Sequence, residues 1–104
     1  MTYRTPNTSS SGGAFSAAVV DTVWQKGQIV AGYDSRIYRK DACGAWMERA
    51  SYGKTTGYGW EIDHIRPVAQ GGTDDMSNLQ PLLWQNNRHK ADSFPHWSCA
   101  IRAA

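Results

Sequence analysis

Residues 60–95 constrain the fold of this chain more than any other segment, because they hold the signals for two kinds of regular structure in a fixed order. Side chains alternate before Pro67, which predicts a strand that ends or bends at this proline. The predicted elements are a strand at 60–65, a glycine turn at 71–72, a short extended piece at 78–81 and a helix from 82 or 83 to 91. This order predicts a ββα unit over about residues 59–92.

The preceding part of the chain predicts simpler elements. Residues 14–26 place apolar side chains at helical spacing and favour a short helix, although their β-branched content leaves a strand open. Alternation at 37–40 and 45–47 indicates a hairpin of two short strands. We therefore expect a small α+β fold: a polar, flexible arm at 1–13 and a single domain at 14–104, in which a helix and short strands precede the ββα unit.

Composition limits the class of protein. A chain of 104 residues forms one domain with a small core, to which its five Trp and five Tyr contribute much of the buried area. No apolar run is long enough to cross a membrane and the N-terminus has no signal pattern, so we expect a cytoplasmic protein without a membrane partner. The net charge of +2 is weak evidence for a nucleic-acid partner.

The two cysteines exclude one kind of site. Cys43 and Cys99 form no C-x-x-C pair, so a four-ligand structural zinc site is not expected. A disulfide between them stays open, but two small buried thiols are the favoured interpretation.

An acid and a histidine stand side by side at Asp63 and His64. Cleavage of a phosphodiester needs a base for water and positive charge for the transition state. A histidine can be that base, and a divalent cation can stabilise the charge. Mg²⁺ and Mn²⁺ prefer oxygen ligands, which Asp63 and Asn87 carry. Neighbours on an ideal strand point to opposite faces, so Asp63 and His64 can share one site only where the strand twists or ends.

Helix phase separates the polar residues that follow. At about 100° per residue, Lys90 lies near the face of Asn87, His89 points away and Arg88 lies to one side. Asn78 can both donate and accept hydrogen bonds, so we expect it to tie the loop backbone and to hold His64 in orientation. Candidate phosphate contacts, each weighed against a solvated surface, are Arg66, Arg88, Lys90, Arg39 and Lys40.

The pattern of Asp63-His64, Asn78 and Asn87 with Lys90 resembles the HNH nuclease family, also described as ββα-metal nucleases, over roughly residues 36–95. The resemblance implies a metal-dependent endonuclease that acts on DNA. We expect double-stranded DNA as the substrate, and a homodimer or larger complex stays open. The resemblance implies His64 as the general base, with Asn78 supporting catalysis. The resemblance also implies Asp63 and Asn87 as ligands of Mg²⁺ or Mn²⁺.

The sequence also departs from many members of this family, which bind a structural zinc through two C-x-x-C pairs. The corresponding positions are Cys43 with Trp46 and Leu83 with Asn86, so no structural zinc is expected. We expect aromatic packing in its place, with Trp46, Trp60 and Trp84 as candidates. Glu61 matches an acidic position in some relatives and could hold metal-bound water, or be an exposed strand residue.

Two alternatives stay open on sequence grounds. An HNH-type fold can serve a toxin nuclease or a ribonuclease, because a fold does not decide the substrate. A non-catalytic DNA-binding module could keep the frame alone. The complete set of Asp63, His64, Asn78 and Asn87 argues against a module that has lost catalysis.

Overall fold

The structure, a computed structural model, describes residues 4–102. Two helices and four strands carry the fold. In chain order they are α1 (Ala17–Trp24), β1 (Tyr38–Lys40), β2 (Trp46–Glu48), β3 (Trp60–His64), β4 (Leu79–Leu83) and α2 (Trp84–Lys90). Short 3₁₀ turns lie at Arg49–Ser51, Val68–Gln70 and Met76–Asn78. The predicted α+β class is confirmed.

Two antiparallel hairpins form the sheets. β1 pairs with β2, and β3 pairs with β4 in a register that sets Trp60 opposite Leu83 and His64 opposite Leu79. β4 runs directly into α2, so the helix packs back against the β3–β4 hairpin. The predicted strand–turn–strand–helix order is therefore confirmed, with a second strand longer than the expected piece at 78–81.

α1 settles the alternative between helix and strand at residues 14–26. Ser16 precedes the helix, and its side-chain oxygen accepts a hydrogen bond from the Val19 backbone N–H. This cap satisfies one of the free donors at the helix start, so the helix begins at Ala17 and is shorter than predicted. The buried residues Val20, Val23 and Trp24 form its inner face.

The core lies between α1 and the β3–β4 hairpin. Trp60 is fully buried, and its ring centroid lies 5.2 Å from that of Trp24 and 4.9 Å from that of Tyr52. The buried cluster comprises Val20, Val23, Trp24, Ala45, Met47, Trp60, Ile62, Leu79 and Leu83. The apolar side chains of β3 are therefore packed in the core, and this packing positions the polar side chains at the C-terminal end of the strand.

The structure corrects the expectation of two free thiols. Cys43 and Cys99 form a disulfide with a sequence separation of 56 residues. Local sequence gives no sign of this pairing, because the C-terminal segment returns to the β1–β2 turn only in the folded chain. One contact that holds the segment there is the Asn86 side chain, which makes two hydrogen bonds with the Ile101 backbone.

The expected aromatic replacement of zinc stays a prediction, and a polar network also lies at the positions that correspond to the zinc cysteines. At these positions a buried carboxylate organises the backbone: Asp41 accepts hydrogen bonds from the backbone N–H groups of Cys43, Ala45 and Leu83 and from the Asn86 side chain. Each bond lies between 2.9 and 3.0 Å. A polar network can join two chain segments as a metal would, because every buried donor finds an acceptor.

The N-terminal segment packs near the end of β3. Asn7 Oδ1 accepts a hydrogen bond from the Ile62 backbone N–H at 2.8 Å, and Ser10 contacts Asp74. The flexibility expected of residues 1–13 stays a prediction, and residues 1–3 lie outside the described part. Among residues 4–102, no helix has the length and apolar character needed to cross a bilayer.

Candidate active site

A cavity of about 250 Å³ opens where β3 ends. Asp63, His64 and Asn87 all line it, together with Arg88 from α2. Its other wall is formed by residues 4–8 of the N-terminal segment. The strand terminates at His64, so two neighbouring side chains that alternate along β3 both border one cavity. That both side chains act in one catalytic site stays a prediction.

Asp63 is nearly buried on the side of β3 that faces α2. Its Oδ1 lies 3.2 Å from Lys90 Nζ, and its Oδ2 accepts a hydrogen bond from Gln80 Nε2 at 3.0 Å. Burial raises the pKa of the Asp63 carboxyl, while the charge of Lys90 and the Gln80 hydrogen bond act in the opposite direction. The charged form is thus held by two specific partners in a site that disfavours charge.

His64 faces away from α2 and towards Asp74. Its Nε2 lies 2.8 Å from Asp74 Oδ1, and its ring centroid lies 5.9 Å from that of Phe15. Asp74 also accepts hydrogen bonds from the backbone N–H and hydroxyl of Ser10. The hydrogen bond with His64, followed by smaller contributions that include Ser10, lowers the pKa of the Asp74 carboxyl. An ionised carboxylate only accepts, so His64 Nε2 is the donor in this hydrogen bond.

Asn78 binds the loop that separates β3 from β4. Its Oδ1 accepts from the Arg66 backbone N–H, and its Nδ2 donates to the carbonyl oxygens of Arg66 and Thr73. These bonds close the loop around the Gly71-Gly72 turn. A side chain at Gly72 would collide with the Arg66 carbonyl, since an added Cβ would lie 1.7 Å from that oxygen. Asp74 is therefore positioned by a tightly folded loop.

α2 presents its polar side chains as helix phase predicts. Asn87 Nδ2 donates to Glu61 Oε1 at 2.9 Å and Lys90 meets Asp63, whereas His89 turns away to Ser98. Arg88 makes two hydrogen bonds to Glu61, at 3.0 and 2.8 Å. Glu61 is buried, so it anchors α2 to β3 and is not an exposed strand residue.

The residues that border the cavity fit a hard divalent cation. In the described part of the chain, no three His, Cys, Asp or Glu side chains cluster as metal ligands. Asp63 offers a carboxylate, and Asn87 keeps its amide oxygen because its Nδ2 faces Glu61. A carboxylate has about four acceptor positions, so the contacts with Lys90 and Gln80 leave room for a further partner. Mg²⁺ accepts such a sparse protein set when water and phosphate complete its shell.

The five basic residues predicted to contact phosphate fall into two groups, buried and at least partly exposed. Lys90 is buried, and Arg39 is nearly so, with its guanidinium donating to the carbonyl oxygens of Ser35, Gln25 and Gly27. Lys40 lies 4.9 Å from the Trp46 ring on the β1–β2 hairpin. Arg66 is exposed and bonds the Gln70 carbonyl. Arg88 is exposed and borders the cavity, Arg4 of the N-terminal segment also borders it, and Lys90 faces Asp63.

Sequence reasoning missed Asp74, Ser10 and Gln80. Asp74 follows the predicted glycine turn, and His64 precedes it. A tight turn brings the residues on its two sides together, so the sequence did contain a signal for a contact between this acid and His64. Ser10 gave none, because its contact with Asp74 spans 64 residues. Gln80 lies directly opposite Asp63 in the antiparallel pairing of β3 and β4. A prediction of this strand register from the sequence would have identified the two side chains as neighbours.

Comparison with known proteins supplies one match. Residues 47–93 match the family model described as HNH endonuclease, and this segment contains β3, β4, α2 and every predicted site residue except Arg39 and Lys40. No curated protein and no solved structure matches the chain significantly. The Asp63-His64 pair at the end of a strand, the braced loop and the helix that carries Asn87 are thus all within the matched segment, and this part of the chain is similar to the HNH endonuclease family.

Proposed function

We propose that this protein is a metal-dependent endonuclease that hydrolyses phosphodiester bonds of DNA. The observation that carries the proposal is the orientation of His64: Nε2 is bound by Asp74, and the ring borders the same cavity as Asp63 and Asn87. His64 Nδ1 is then the atom that takes the proton from the attacking water. Match to the HNH endonuclease family supports a nuclease in general terms.

Asp63 and the amide oxygen of Asn87 hold the divalent metal in this proposal, with Mg²⁺ or Mn²⁺ preferred because both ligands are oxygens. When bound, the metal supplies Lewis-acid stabilisation of charge at the scissile phosphate. Lys90 and Gln80 keep the Asp63 carboxylate ionised and oriented from behind. Glu61 holds Asn87 in the same way, so each ligand has a fixed support.

Arg66 and Arg88 are exposed and are the proposed contacts for flanking phosphates; Arg88 borders the cavity, as does Arg4 of the N-terminal segment. Asn78 acts through the loop: by fixing the backbone from Arg66 to Thr73 it places Asp74 beside His64. Double-stranded DNA is the proposed substrate. A ribonuclease or toxin role uses the same chemistry, so cleavage of RNA under matched conditions is the direct comparison.

Metal dependence tests this proposal. Purified protein should nick supercoiled plasmid in Mg²⁺ or Mn²⁺ and stop on addition of EDTA. Asp63→Asn and Asn87→Ala should raise the metal concentration at half-maximal rate. Asp92→Asn should not, although Asp92 also borders the cavity. Cleavage that continues unchanged in EDTA, or equal metal midpoints in all three variants, would contradict the metal assignment. Faster cleavage of RNA would reassign the substrate.

A further inference from the structure

A second cavity of about 270 Å³ lies on the β1–β2 hairpin and is lined by four aromatic side chains: Tyr33, Tyr38, Trp46 and Tyr58. We call this the aromatic pocket. Tyr33 and Tyr58 come from loops, whereas Tyr38 and Trp46 lie on β1 and β2. The ring centroids of Tyr33 and Trp46 are 4.6 Å apart, and Tyr38 meets Trp46 edge-on at 6.4 Å. None of the four belongs to the buried core cluster.

Strand alternation explains why these rings face outward. Arg39 and Met47 are paired in the hairpin and both point inward, where they are buried. Lys40 is paired with Trp46, and these side chains take the opposite face. Tyr33 and Tyr58 are each 54% exposed. Clustered exposed aromatic surface is costly in water and marks a binding surface more often than scattered single residues do.

Charge selects the kind of ligand. Lys40 Nζ lies 4.9 Å from the centroid of the Trp46 ring, so a cation already occupies the place that a cationic guest would take. A flat, uncharged ring attached to an anion fits both the rings and the ammonium group. Glu48 lies on the same strand, but its carboxylate is engaged by the Ser51 hydroxyl at 2.6 Å. A nucleotide has the required combination of a stacking base and a phosphate.

The pocket also has polar groups that can contact the edge of a base. Among residues 4–102, the hydroxyls of Tyr33, Tyr38 and Tyr58 hydrogen-bond to no other residue. A phenol can both donate and accept, so it suits any base. Stacking on aromatic side chains is the way in which proteins hold single-stranded nucleic acid without strong sequence preference.

We infer that the aromatic pocket binds an unpaired nucleobase of the DNA substrate, with Lys40 against the adjoining phosphate. A base inside a duplex has both faces covered, so the pocket takes its base from a single-stranded, frayed or branched part of the otherwise double-stranded substrate. This inference rests on the proposed function only in taking DNA as the ligand. It places a substrate contact on the β1–β2 hairpin, away from the residues assigned to hydrolysis.

Binding of a short single-stranded DNA oligonucleotide and of its blunt duplex, measured by fluorescence anisotropy in EDTA, tests the inference. Tyr33→Ala and Tyr58→Ala should each weaken single-strand binding on the order of tenfold and change duplex binding much less. Tyr33→Phe should keep most of the affinity, because the ring remains. Lys40→Gln should reduce the slope of log affinity against log salt by about 0.7, as loss of one phosphate contact does.

Ile29→Ala is the matched control, since Ile29 is 68% exposed and lies outside the pocket. Unchanged single-strand affinity in Tyr33→Ala and Tyr58→Ala would overturn the inference, as would an equal loss in Ile29→Ala. Aromatic variants that change sedimentation of the free protein but not DNA binding would assign the pocket to self-association instead. If wild type cleaves plasmid and the aromatic variants bind single-stranded DNA like wild type, the assignment of the pocket is wrong and the proposed hydrolysis stands. If the aromatic variants lose single-strand binding but wild type cleaves DNA in no metal, the proposed hydrolysis is wrong and the assignment of the pocket stands.

Discussion

His64 Nε2 lies 2.8 Å from Asp74 Oδ1, and Asp74 is held in turn by the backbone N–H and hydroxyl of Ser10. A residue of the N-terminal segment thus supports, through one carboxylate, the ring proposed as general base. In the proposed function this contact assigns the hydrogen to Nε2 and leaves Nδ1 to take the proton of water. It also links the matched HNH segment to a part of the chain that lies before it.

We predict that Asp74→Asn lowers kcat about 10- to 100-fold with a much smaller change in KM. An amide can donate to Nε2, which would favour the tautomer with hydrogen on Nδ1 and remove the acceptor that the water needs. Nitrogen chemical shifts of the His64 ring report the tautomer directly. Asp75→Asn, a change at the exposed neighbour, should leave both rate and tautomer unaltered. A wild-type tautomer and rate in Asp74→Asn would refute the positioning role.

The buried pair of Lys90 and Asp63 should be strongly coupled in stability. Lys90→Met removes the partner of a carboxylate whose burial already raises its pKa, so we predict a loss of about 3–5 kcal/mol in the free energy of unfolding. Adding Asp63→Asn to this variant should restore part of the loss, because no unpaired charge then remains. Urea denaturation measures both effects.

Lys54→Met is the control for this pair, since Lys54 is an exposed lysine. It should change the free energy of unfolding by less than about 0.5 kcal/mol. If Lys90→Met were as mild as Lys54→Met, the ion pair would not stabilise the fold. Strictly additive losses in the double variant would show that the two side chains do not interact.

Tyr52 should make stability depend on pH in the alkaline range. Burial, and then the charge of Glu61, raises the pKa of Tyr52 to about 12, against an ordinary value of 10.0. The fold therefore favours the neutral phenol. This contribution is fully present below pH 10.0 and is lost as pH rises from there towards about 12.

Tyr52→Phe removes the titrating group and keeps the ring against Trp60. The free energy of unfolding of wild type should fall more steeply than that of Tyr52→Phe as pH rises above 10.0. Chemical denaturation at a series of alkaline pH values provides the comparison. Parallel curves for wild type and Tyr52→Phe would show that Tyr52 titrates alike in the folded and unfolded states.

Local signals in the sequence predicted the elements that position the site. Alternation of apolar and polar side chains predicted β3, and the Gly71-Gly72 pair predicted the turn. Helical periodicity placed Asn87 and Lys90 on one face and His89 on another. Such patterns succeed because each depends on a few residues of neighbouring sequence and one repeat length. The boundaries were less accurate, since caps and packing decide where an element ends.

Long-range contacts escaped prediction because nothing local encodes them. The Cys43–Cys99 disulfide spans 56 residues. Asp41, in the β1–β2 turn, accepts a hydrogen bond from the backbone N–H of Leu83, just before α2. Ser10 contacts Asp74, which is 64 residues away in the sequence. Each depends on the path of the folded chain. For the same reason, the sequence left Lys90 between a phosphate contact and a solvated helix face, and its ion pair with Asp63 was not predicted.

The most direct test of the account is single-turnover cleavage of supercoiled plasmid in Mg²⁺ by wild type, His64→Ala and His89→Ala. His89 bonds Ser98 on the far side of α2, so it controls for loss of a histidine in the same domain. The account predicts that His64→Ala lowers the rate about 10²- to 10⁴-fold while plasmid affinity and folding are retained, and that His89→Ala cleaves like wild type. Cleavage by His64→Ala at the wild-type rate would contradict the central claim.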